Sequence, residues 1–155
     1  MDDIDRALLR ALVQDARATW ASLGEQVGLS APSVHERVHK LEMAGTILAY
    51  SARVAPGLVE ADTAALISLR TSGDAQERAQ LEADLAAEPA VLELHEVAGD
   101  DCYLAKVRVH STAELAALLT RLRELHPGLT SRSSVVLRSV FERPLLWPPS
   151  AASPS

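Results

Sequence analysis

The sequence has one cysteine, Cys102, so no intrachain disulfide can form, and no C-x-x-C pair is present to hold zinc or run thiol exchange. A reducing, cytoplasmic compartment fits this best. Lysine is scarce: only Lys40 and Lys106 occur among fifteen basic residues, which reflects codons rich in G and C as much as physics. Nowhere do about 18 apolar residues run together, so no membrane span is expected. The opening Met1-Asp2-Asp3-Ile4-Asp5 is acidic where a signal peptide carries positive charge, so export is not expected either. Catalytic signatures are missing: there is no Gly-rich phosphate loop, no Gly-x-Ser-x-Gly and no His-Glu-x-x-His. His35 and His39 have the i, i+4 spacing of metal ligands, but no third ligand follows at a useful distance. Neither a metal nor a cofactor is expected.

What is present describes a globular chain. Its 155 residues suit one domain or two small ones, and 48 % hydrophobic with 23 % charged residues is enough for a packed core. The net charge is −6, which at first sight argues against a nucleic-acid binder. The acidity is uneven, however. Residues 1–54 hold six basic groups against seven acidic ones, whereas residues 55–155 hold nine against fourteen.

Periodicity and capping residues place the elements. Asp2 and Asp5 precede Leu8, Leu9 and Leu12 at helical spacing, giving a first helix over roughly residues 3–14. Thr19 caps a short second helix through about Val27, and Gly28 supplies the turn. Ser30 caps a third, with Pro32 in its first turn, Val34, Val38 and Leu41 as the buried stripe, and Gly45 at its end. Residues 46–54 read as a short strand or hairpin, broken by Pro56-Gly57. Beyond the break the order is strand (Thr63 to Arg70), helix (Ala75 to Ala87), strand (Val91 to Val97), turn at Gly99-Asp100-Asp101, strand (Tyr103 to Val109), helix (Thr112 to Leu125) and strand (Ser131 to Phe141). This βαββαβ pattern predicts an antiparallel sheet with both helices on one face. The fold class is therefore α+β: a winged helix-turn-helix over residues 1–54, a linker over 55–61, a ferredoxin-like sandwich over 62–143 and a frayed tail over 144–155.

In a winged helix-turn-helix the third helix enters the major groove and the second braces it. With Val34, Val38 and Leu41 inward, Ser33, His35, Glu36, His39 and Lys40 point outward with Arg37 at the border, polar groups that can reach base edges or phosphates and are the expected DNA contacts. Ser30 and Ser33, at the positive end of the helix, are placed to bind a phosphate. Glu36 and neutral histidines keep the patch weakly basic, so unspecific DNA affinity should be modest.

Asp2-x-Ile4-Asp5, Leu8-Leu9, Arg17-Ala18-Thr19, Val27-Gly28-Leu29-Ser30, Val34-x-x-Arg37-Val38-x-x-Leu41-Glu42-x-x-Gly45-x-Ile47 and Tyr50-x-Ala52 together resemble the leucine-responsive regulatory protein and AsnC (Lrp/AsnC) family. The resemblance extends to Val97-Ala98-Gly99-Asp100-Asp101-Cys102-Tyr103-Leu104, similar to the glycine-acid turn of the family's effector domain, and to Ser131–Leu137, similar to its last strand. It implies a transcription regulator that binds double-stranded operator DNA and responds to an amino acid or related small molecule. The implied assembly is a homodimer through the sheet domains, commonly built up to tetramers or octamers. It also implies an effector site between dimers, formed by Gly99, Asp100, Asp101, Cys102, Tyr103, Ser134, Val135 and Val136. Cys102 stands where the family's leucine responder has aspartate, which leaves two alternatives: Asp100 or Asp101 meets a ligand's ammonium instead, or the effector is not leucine.

The same residues carry plainer readings. Gly99-Asp100-Asp101 is a good hairpin turn, Cys102 a small buried side chain, and Tyr103 core packing. Arg132 and Arg138, six apart, fall on one strand face and suit salt bridges or an effector carboxylate. The alternatives are a small-molecule sensor, or an enzyme resembling the sirohaem decarboxylases of similar architecture, with His95, Arg108 and His110 as its candidates.

Overall fold

A computed structural model describes residues 1–142, which separate into two compact units built around Met1–Ala52 and Arg53–Val140, each with its own core. The first unit consists of α1 (Asp3–Gln14), α2 (Trp20–Val27) and α3 (Ala31–Met43). Each begins at the expected cap. The Asp2 carboxylate accepts the Asp5 amide at 2.8 Å and Asp5 accepts the Asp2 amide at 3.0 Å, a reciprocal box that satisfies two orphan donors of α1. Thr19 accepts the Ser22 amide at 3.1 Å and Ser30 the Ser33 amide at 3.4 Å. Leu8, Leu12, Leu23, Val34 and Val38 close the core between the three helices.

Two glycines set the angle of the helix-turn-helix. Gly28 sits at φ +70°, a left-handed conformation that side chains other than glycine adopt at a cost. Gly24 is buried in α2, and a β-carbon there would overlap the Leu29 carbonyl oxygen, so the chain entering α3 passes α2 only because that side chain is missing.

The second unit contains β1 (Thr63–Arg70), α4 (Ala75–Ala87), β2 (Val91–Glu96), β3 (Tyr103–Val109), α5 (Thr112–Leu125) and β4 (Thr130–Val135). All pairings are antiparallel and the strand order is β2-β3-β1-β4. Alternation decides the faces. Ala65, Ile67 and Leu69 of β1 and Tyr103, Ala105 and Val107 of β3 form one core with Leu81 and Leu85 of α4 and Leu115, Leu118 and Leu122 of α5. Their neighbours point the other way. The register sets Leu66, Ser68, Leu104 and Lys106 on the open face, where Leu66 and Leu104 are diagonal neighbours and remain 52 % and 42 % exposed.

Three expectations are corrected. Residues 46–54 form no strand or hairpin; Thr46 and Ile47 bond back to the Leu41 carbonyl at the end of α3, and among the described residues no strand of this unit offers them a ladder. The last strand stops at Val135 rather than Phe141, because β1 begins at Thr63 and the Val136 amide takes its final acceptor, the Ala64 carbonyl. Arg138 is therefore outside the strand and does not share a face with Arg132. The strand after α4 likewise ends at Glu96, one residue early, where Val97 begins the turn. The expected frayed tail, 144–155, lies outside the described residues.

Candidate nucleic-acid interface and effector site

Because Val34, Val38 and Leu41 are buried, the 3.6-residue period turns the rest of α3 outward. Ser30, His35, Glu36, His39 and Lys40 are exposed, and Ser33 and Arg37 are half-buried at one flank. The Ser30 and Ser33 hydroxyls lie 2.9 Å apart at the start of α3, a polar pair suited to a phosphate oxygen. Lys40 donates to Glu36 at 2.7 Å, and this bond is the main reason the Glu36 carboxyl is held below its usual range.

On the other flank, Trp20 of α2 meets the His35 ring edge-on at 5.7 Å, and the His35 and His39 rings lie nearly parallel at 6.4 Å. Glu42 accepts from the Tyr50 hydroxyl at 2.9 Å, folding the segment after α3 back on the helix; partial burial and this bond push the Tyr50 phenol up to about 12. Helical spacing alone could not bring Trp20 or Tyr50 here, since both arrive through tertiary packing.

Arg37 does not extend outward with its neighbours. Its Nη1 donates to Asp2 Oδ2 at 2.7 Å and to Asp5 Oδ1 at 2.8 Å, so the guanidinium lies against the first turn of α1. Hydrogen bonds to Asp2 and then Asp5 hold the arginine above its ordinary value. The Asp5 amide and then Arg37 hold the Asp2 carboxyl below the usual carboxylate range.

In the second unit the glycine-acid turn joins β2 to β3. Gly99 adopts φ +135°, accessible to glycine at little cost. Two arginines from neighbouring strands converge on this turn. Arg70 Nε donates to the Asp100 carbonyl at 2.6 Å, while Arg132 Nη2 meets Asp101 Oδ2 at 3.0 Å. The Asp100 side chain is fully exposed. Cys102 is half-buried against the core, its amide bonded to the Leu69 carbonyl at 2.8 Å. Tyr103 points into the core, where its hydroxyl donates to Glu82 at 2.6 Å; that bond, with burial, pushes its phenol up to about 12.

Not all the expected effector residues come together. Ser134 pairs with Leu66 and Val135 with Ala65, whereas the turn packs at Leu69–Thr71, roughly 13 Å farther along β1 at about 3.3 Å per residue. Within one chain Ser134, Val135 and Val136 belong to a different end of the sheet, and Arg132 takes their place beside the turn. Arg70 was not signalled by the sequence: it ends a strand like many solvated arginines, and only the β1–β3 register delivers it. The histidines of the enzyme alternative are also separated. His95 pairs with Leu104 at one end of β3, while Arg108 and His110 bond the Ala61 and Glu60 carbonyls at the other.

A helix-turn-helix unit joined to a ferredoxin-like unit with a polar, arginine-flanked turn is the architecture of a DNA-binding protein with a small-molecule domain. The AsnC-type helix-turn-helix domain matches residues 1–42 and the Lrp/AsnC ligand binding domain matches residues 64–146. The chain is 36 % identical over 141 residues to the HTH-type transcriptional regulator LrpA of Mycobacterium tuberculosis, covering 91 % of this chain and 93 % of that protein. The crystal structure of the leucine response regulatory protein LrpA from that organism superposes with a TM-score of 0.82 at 34 % identity, covering 92 % and 96 %. The feast or famine regulatory protein of M. tuberculosis complexed with L-methionine gives 0.80 at 35 % identity, covering 91 % and 95 %. This chain belongs to the Lrp/AsnC family of transcriptional regulators. No helix among the described residues is long and apolar enough to cross a membrane.

Proposed function

We propose that the chain is a cytoplasmic, operator-specific regulator of transcription, not an enzyme, whose DNA affinity is set by an amino acid bound at the Gly99–Cys102 turn. The observation that carries the DNA half is the outward polar face of α3, exposed on a helix braced by α1 and α2. Ser30 and Ser33 meet phosphate, and His35, Glu36, His39 and Lys40 address base edges. Two copies join through the open sheet face at Leu66 and Leu104, presenting two recognition helices to a pseudo-palindromic site, and dimers assemble further into tetramers or octamers.

The effector half rests on charge placement. An amino acid needs a cation for its carboxylate and an acid for its ammonium; Arg132 and Arg70 offer the first, Asp100 and Asp101 the second. Cys102 forms the wall behind the turn, while Tyr103, buried on the helix side of the sheet and bonded to Glu82, anchors the end of β3. Ser134, Val135 and Val136 complete the site from another copy, so binding and assembly are linked, and a few kcal/mol of difference between assemblies suffices for a switch. L-methionine, bound by the neighbour described above, is the first effector to try. Titration calorimetry of L-methionine against the parent chain, Asp100→Ala and Arg132→Ala tests the site. Heat from the parent that is lost in both variants supports it; equal binding by all three places the effector elsewhere.

A further inference from the structure

The Asp2–Asp5 capping box does more than start α1. Each carboxylate spends one oxygen on the box, Asp2 Oδ1 taking the Asp5 amide and Asp5 Oδ2 the Asp2 amide. That leaves Asp2 Oδ2 and Asp5 Oδ1, and these two oxygens take the same nitrogen of Arg37 at 2.7 and 2.8 Å. The result is a closed ring of four hydrogen bonds that holds both carboxylates in fixed orientation toward α3. The Asp5 side chain is only 16 % exposed and Arg37 33 % exposed, so this ring is partly shielded from solvent.

Apolar packing of Leu8 and Leu12 against Val34 and Val38 holds α1 and α3 together, but such contacts are not directional. On the Arg37 flank packing is incomplete. A cleft of about 530 Å³ opens there, lined by Met1, Asp5, Ser33, Arg37, Lys40 and Thr46 among others. The ion triad crosses this flank and fixes the rotation of α3 about its own axis. Arg37 is one turn from both Ser33 and Lys40, so any change in that rotation swings the outward residues.

We propose that Arg37, clamped by the α1 capping box, is a positioning residue that sets the pose of the recognition helix and does not itself contact DNA. Two carboxylates around one guanidinium give the triad a net negative charge, a poor receiver for phosphate. The proposal rests on α3 being the DNA-reading helix.

A positioning role and simple charge repulsion give effects of opposite sign. Removing acids beside a DNA-binding helix should tighten binding if they only repel phosphate. If they position α3, removing them should weaken it. The experiment uses the full chain and the duplex it selects from a random-sequence pool, with the dissociation constant measured over a series of salt concentrations. Asp5→Asn leaves the Asp2 cap in place and keeps an oxygen to accept the Asp2 amide, and Arg37→Gln keeps an unbranched polar side chain of good helix propensity, so both variants should stay folded; circular dichroism at the assay temperature checks this.

The expected result is that each single variant binds about tenfold more weakly, the loss of one base contact, and that the doubly substituted chain is no weaker than either. The slope of log K against log salt stays at the parent's value. Three results would overturn the proposal: a slope reduced by about 0.9 in Arg37→Gln, the mark of a lost phosphate contact; tighter binding by Asp5→Asn; or additive losses in the double variant. Failure of the parent chain to enrich any duplex would instead remove the DNA-reading role of α3, and this proposal with it.

Discussion

Leu8→Ala should destabilise the helical unit and leave the sheet unit intact. Leu8 is fully buried at the centre of the helical unit, where among the described residues Leu12, Leu23, Val34 and Val38 complete its buried cluster. Truncating such a leucine costs about 2.7–5 kcal/mol, the transfer of its methyl groups plus the cavity left behind. A helical unit of this size has roughly 3–8 kcal/mol of stability in total, so the variant loses about half of it or more. No residue of this cluster belongs to the sheet core, which is built from Ala65, Ile67, Leu69 and the α4 and α5 leucines. Peptide-resolved amide hydrogen exchange on the full chain should therefore show protection in α1–α3 falling by about 10² to 10⁴, with β1 and β3 within a factor of a few of the parent. Duplex affinity should drop while L-methionine binding persists. An equal fall in protection across both units, or undiminished DNA binding, would refute the reasoning.

Other substitutions address single contacts. Gly99→Ala meets no neighbouring atom but must hold φ +135°, so urea denaturation should show a loss of about 1–3 kcal/mol confined to the sheet unit. Gly24→Ala forces a β-carbon against the Leu29 carbonyl and should lower both the melting temperature and duplex affinity; an unchanged melting curve would show that α2 and the turn can separate at no cost. Tyr103→Phe removes the bond to Glu82 and should cost about 1 kcal/mol at neutral pH. Its pH dependence follows from the raised phenol: between pH 10 and 12 the unfolded tyrosine ionises before the folded one, so the parent loses stability as pH rises, and the variant should lose less. Asp2 behaves in the opposite sense. Its carboxyl is depressed in the folded chain, so its contribution is present above about pH 4 and vanishes as pH falls through the folded value; Asp2→Asn should flatten that acid limb.

Helices and caps were legible because their signals are local. The first and last residues of α4, α5, β1 and β3 follow directly from periodicity and from caps such as Ser111, whose hydroxyl accepts the Glu114 amide. Strand ends were less so, since a strand stops where its partner does: β4 ends at Val135 because the Ala64 carbonyl, taken by the Val136 amide, is the last acceptor that β1 turns toward it, which no property of residues 136–141 announces. Residues 46–54 have β propensity but lack a ladder. At the site, the outward face of α3 followed from its buried stripe, whereas the retreat of Arg37 depends on Asp2 and Asp5, more than thirty residues away. The pairing of Arg70 and Arg132 with the glycine-acid turn likewise depends on register across three strands.

The central claim is that this chain recognises an operator and that an amino acid tunes the recognition. Its most direct test is the affinity of the full chain for a fragment of its own upstream region against random duplex at fixed salt, with and without L-methionine. The account predicts a preference of about 10³ or more that the amino acid shifts. Equal affinity for both fragments, unmoved by any amino acid, would contradict it.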